Sequence, residues 1–165
     1  HYNKIKGMNA YNVFTIHNRL AVALLKSFPS VKFYSHVTPF VEQVIEKNEF
    51  SSAGSIYVNI NQRFFDIAVC KNKELLLYNS YLYNNEDDII YHTLNTCKTL
   101  LLNNEKDSLF LSGQIDKKSN AYKLFSRYFS NIRFFQPSSY FSISKKLQKI
   151  DPHSLLNLYN VYMCV

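Results

Sequence analysis

The sequence predicts an α/β protein built on a mixed sheet, and three observations carry that expectation. Residues 55–83, SIYVNINQRFFDIAVCKNKELLLYNSYLY, read as three consecutive strands, because apolar side chains alternate along them. The links between these strands are too short for a parallel crossover, which takes about a dozen residues or more, so the strands pair as antiparallel hairpins. Beyond them, strand and helix patterns alternate to the end of the chain, as in sheets layered with helices.

NVFTIH (12–17) alternates as a half-buried strand. NRLAVALLKSF (18–28) follows as a helix, with Asn18 as N-cap and Pro29-Ser30 as its stop. VKFYSHV (31–37) has period two, with Val31, Phe33, Ser35 and Val37 on one face. TPFVEQVIEK then opens a helix with Thr38 as N-cap and Pro39 at the first helical position, and Val41, Val44 and Ile45 form its apolar stripe. These elements make a βαβα unit. NEFSSAGS (48–55) is polar, carries Gly54, and marks a boundary between two structural halves.

In the strand at 55–61, Ile56, Val58 and Ile60 share one face while Tyr57, Asn59 and Asn61 share the other. Phe65, Ile67 and Val69 repeat the pattern at 64–70, and KNK (71–73) turns the chain into a strand at 74–83. The helix expected at 85–102 is capped by Asn84 or Asn85. Its Glu86, Asp87 and Asp88 suit the positive end of the helix dipole, and Ile90, Leu94, Cys97 and Leu101 form its inward stripe. SLFLSGQ contains a strand at 108–113, expected to lie parallel to 55–61. SNAYKLFSRYF (119–129) is a helix with Ser119 as cap and Tyr122, Phe125 and Phe129 on one side. A strand at 132–136 stops at Pro137, and a closing helix opens at Asp151-Pro152. From residue 54 onward the order is βββαβαβα.

With 165 residues, 47% of them hydrophobic, the chain can bury the core of one or two small domains. No apolar run approaches the roughly 20 residues of a bilayer crossing, and RLAVALLKSF, broken by Lys26, reads as a core helix. The sequence opens on His1, not Met, and without a secretory signal, so it reads as a fragment; a cytoplasmic location is expected. Cys70, Cys97 and Cys164 lie far apart, which points to a reducing compartment rather than a disulfide scaffold. CxxC, HxxxH and HExxH spacings are absent, as are a P-loop and a dinucleotide fingerprint. His92 and Cys97 fall on different faces of their helix, and Cys97 reads as a buried structural thiol. The net charge of +7 permits an anionic partner. Its cations are scattered, however, at Lys4/Lys6, Lys71/Lys73, Lys117/Lys118 and Lys145/Lys146/Lys149, whereas nucleic-acid surfaces concentrate them beside aromatics.

The order βββαβαβα resembles the ribonuclease H-like unit, which is also the repeated lobe of actin-like ATPases. The first 50 residues resemble the C-terminal part of a preceding lobe, so the resemblance assigns 1–50 to a first lobe and 54–165 to a second. That division is similar to the type IV pilus assembly proteins of actin-like fold. YVNINQRFFDIAVCKNKELLLYNSYLYNNEDDIIYHTL, LFLSGQ and Cys164 resemble an uncharacterised Bacteroidetes family, a domain of unknown function with an actin-like ATPase fold. The resemblance covers most of the chain.

Active members of the actin-like superfamily carry D-x-G-x-G-T-[TS]-D at the first hairpin. There the glycines let backbone N–H groups approach phosphate, and the acid helps place Mg²⁺ and water. The equivalent stretch here is NINQRFFD. Asn59 stands for the acid, Asn61 and Arg63 for glycines, and Phe64 and Phe65 for the hydroxyl residues. Asp66 alone is kept, at a strand position that could equally face solvent, and Arg63 offers its charge to an anion at a different site. LSGQ (111–114) resembles the adenosine-contacting turn, with Ser112 and a single glycine, Gly113. The two-Mg²⁺ chemistry of ribonuclease H needs a carboxylate on the opening strand, where Asn59 and Asn61 are neutral. The resemblance therefore implies a vestigial cleft at Asn59, Asn61, Arg63, Asp66, Ser112 and Gly113, with no catalytic residue, metal or cofactor.

Three functions are expected in descending order: a non-catalytic adaptor or scaffold for a protein partner, a basic module associated with nucleic acid or the ribosome, and an ATP-binding protein with an unconventional loop. An incomplete first lobe would also expose the edge of the 12–17 strand. Self-association, or cover by HYNKIKGMNAY, is expected there.

Overall fold

The protein is described by a computed structural model over residues 1–48, 52–138 and 149–164. Lys145, Lys146 and part of the 48–55 boundary stretch lie outside the described residues. The chain opens as a hairpin of β1 (Tyr2–Lys4) and β2 (Tyr11–Val13), with Tyr2 opposite Val13 and Lys4 opposite Tyr11. The first strand is therefore shorter than 12–17 and starts a residue earlier, and HYNKIKGMNAY supplies the strand that covers it. α1 (Asn18–Ser27) follows, with His17 rather than Asn18 at its N-cap and no side-chain cap bond.

Residues 31–36 form no strand, which corrects the period-two reading. One side chain replaces the ladder they would need. Asn3 Nδ2 donates to the Phe33 carbonyl at 3.0 Å, and the Ser35 N–H donates to Asn3 Oδ1 at 3.2 Å. α2 (Val37–Asn48) begins before the expected cap, so Thr38 lies inside it, fully buried. Its hydroxyl donates to Asn3 Oδ1 at 3.2 Å and accepts from Asn12 Nδ2 at 3.1 Å, tying the hairpin to the helix. The leading order is ββαα, not βαβα.

β3 (Ser55–Ile60), β4 (Phe64–Lys71), β5 (Glu74–Leu82), β6 (Ser108–Gly113) and β7 (Ile132–Phe134) form a five-stranded sheet in the order β5-β4-β3-β6-β7. β3, β4 and β5 are antiparallel neighbours and β6 runs parallel to β3, as the link lengths predict. The β4–β5 turn places Asn72 and Lys73 at φ 53° and 69°, the handedness that matches strand twist in a two-residue hairpin.

α3 (Glu86–Thr99) starts in a capping box. The Asp88 N–H donates to Asn85 Oδ1 at 3.1 Å, and the Asp88 carboxylate accepts from the Asn85 N–H at 3.3 Å. The helix ends well short of residue 102. Leu101, at φ 52° beyond the C-cap, is 83% exposed, so it does not belong to the inward stripe. Ile89, Ile90, Thr93 and Cys97 do, with Leu94 packed beside them. α4 (Asn120–Tyr128) is capped by Ser119, whose Oγ accepts from the Tyr122 N–H at 3.2 Å, and buries Phe125. The closing segment starts as a 3-10 turn at Pro152–Leu155, without a side-chain cap bond from Asp151, and continues as α5 (Leu156–Val161).

Both faces of the sheet are covered, which is why every residue of β3 is buried. Ile56, Val58, Ile60, Phe65, Ile67 and Val69 pack with residues of α3 and α4. On the opposite face Tyr57, Ala68, Cys70 and Phe135 pack with Phe40, Val41 and Val44 of α2 and Leu156 of α5. The 48–55 stretch separates elements along the chain, but this core runs across it.

Candidate functional site

On the α2 face of the sheet the register sets three polar side chains in one row, with Ser112 beside Asn59 and Asn59 beside Asp66. All three are buried. Ser112 Oγ donates to Asn59 Oδ1 at 3.1 Å, and Asn59 Nδ2 donates to Asp66 Oδ2 at 3.2 Å. Tyr78 Oη donates to Asp66 Oδ1 at 2.7 Å, and His36 Nε2 lies 3.4 Å from the same oxygen. Asp66 thus points inward, not to solvent, and each of its oxygens has a partner. His36 reaches the row from just before α2, with its side chain 42% exposed and its ring 5.0 Å from that of Phe64.

The electrostatics agree with a closed network. Burial, and after it the Asp66 carboxylate, hold the Tyr78 hydroxyl well above its ordinary value, so it stays a proton donor. Burial likewise pushes the Cys70 thiol up to about 12 and, with the charge of Asp107 adding to it, that of Cys97 up to about 12. Neither is a thiolate nucleophile near neutral pH. Among the described residues no group of three or more His, Cys, Asp or Glu could hold a metal ion.

The other expected cleft residues do not join the row. Arg63 is exposed in the β3–β4 turn. The Asn61 N–H donates to the Phe64 carbonyl at 2.9 Å, and the Asn61 carbonyl accepts from Tyr83 Oη at 2.6 Å. Asn61 Nδ2 is buried without a hydrogen-bond partner. Gly113 has φ 82°, and a Cβ there would lie 2.0 Å from the Ile60 carbonyl oxygen. Crowding against the end of β3 therefore accounts for this glycine. The sequence reading missed Tyr78 and His36. Hairpin register could have found Tyr78, which lies opposite Ala68 on the face that carries Asp66. No local pattern marks His36, which arrives through tertiary packing.

Sheet order and helical layers define the class: a ribonuclease H-like lobe of the actin-like ATPase fold. The chain belongs to the family described as "Protein of unknown function (DUF3822)", whose profile matches residues 1–132. It is similar to a solved protein of Bacteroides thetaiotaomicron described as having an actin-like ATPase fold and unknown function. Sequence identity is 27% and TM-score 0.74, over 82% of this chain and 52% of that one. The chain therefore spans about half the length of that relative. A foamy viral protease-reverse transcriptase solved with double-stranded DNA aligns at 12% identity and TM-score 0.37, over 78% of this chain and 32% of that one. No curated protein matches the chain. No described helix is long and apolar enough to cross a membrane.

Proposed function

We propose that this is a non-catalytic, cytoplasmic member of the actin-like fold that works as an adaptor or scaffold for a protein partner. One observation carries the reading: Asp66, the acid kept from the phosphate-binding hairpin, has both oxygens engaged by Asn59, Tyr78 and His36. A Mg²⁺-nucleotide does not fit the residues present. Magnesium wants anionic oxygen ligands and open coordination positions, and the opening strand offers the neutral, buried amide of Asn59. A phosphate loop wants converging backbone N–H groups, whereas the turn carries Arg63 and leads straight into the bulky Phe64 and Phe65. Ser112 is fully buried, and Gly113 has a packing reason to be glycine. The solved relative of unknown function is compatible with this reading.

Isothermal titration with Mg-ATP, together with a phosphate-release assay, tests it. No binding heat and no released phosphate are expected. Micromolar binding by the unsubstituted protein overturns the reading. Arg63→Ala, an exposed change outside the core, then reports whether the turn holds the nucleotide.

A further inference from the structure

We draw no further inference here: the strongest candidate, the cavity of about 480 Å³ between the β1–β2 turn, α2 and α5, is rimmed by charges of both signs, Lys6 and Lys73 with Glu42 and Glu46, and is walled at Ser138, where the described residues stop, so nothing in the structure shows which ligand would fill it.

Discussion

Asp66 is a carboxylate kept in a sheet interior by its neighbours rather than by water. A buried charge without partners costs several kcal/mol, and here Tyr78, Asn59 and His36 supply them. Removing the carboxylate strands the Tyr78 hydroxyl and the Asn59 amide, so Asp66→Ala should lower stability by about 2–4 kcal/mol. Tyr78→Phe removes one donor and keeps the ring, and should cost about 1–2 kcal/mol. Urea midpoints of the two variants measure both losses, and a neutral Asp66→Ala would mean that the row is not holding the sheet together. All three members of the row are legible in the sequence, and its partners Tyr78 and His36 are not. Asn59 and Asp66 stand in the hairpin motif and Ser112 in the LSGQ turn, and strand register is enough to bring them side by side. Arg63 and Asn61 stand in the same hairpin motif. A motif position, however, does not fix where a residue points in a turn that holds no glycine.

Elements were legible where local pattern and link length agree, and illegible where a distant side chain decides. The three strands from Ser55 to Leu82 follow from alternation plus links that permit only hairpins. Residues 31–37 show the same alternation, but alternation makes a strand only if another backbone lies alongside. Here Asn3 takes that role with a single amide, which no periodicity in 31–37 reveals. Leu101 fails for a related reason: its i+4 spacing from Cys97 is helical, but the helix has already ended at Thr99. Asn3→Ala tests the account of the leading segment. It would remove the acceptor for the Ser35 N–H and for the hydroxyl of fully buried Thr38, and the donor to Phe33. A loss of about 1–3 kcal/mol is expected, with faster amide exchange in the hairpin and in residues 31–36. Unchanged exchange there would show that packing alone orders the segment.

At the scale of the whole molecule, chain order and packing divide the protein differently. Along the chain, 48–55 separates a leading unit from the sheet, and the two-lobe resemblance places a boundary there. In space, Phe40, Val41 and Val44 of α2 are buried against Tyr57, Ala68, Cys70 and Phe135 of the second half. Polar contacts cross the same line. Asn48 Nδ2 donates to Tyr57 Oη at 2.7 Å, Gln43 Nε2 donates to the Gln136 carbonyl at 2.8 Å, and Asn160 donates to Gln43 Oε1. Burying a large apolar side chain contributes about 1.5–3 kcal/mol, so losing three of them approaches the whole stability of a domain, about 5–15 kcal/mol. Residues 54–165 produced alone would also expose the α2 face of the sheet to water. That fragment should bind a hydrophobic dye, show weak near-ultraviolet dichroism and unfold in urea without a sharp transition, while the full chain unfolds cooperatively. A fragment 54–165 that melts as sharply as the full chain would instead make the sheet an independent domain. The α2 contact would then be an interface between two lobes rather than half of one core.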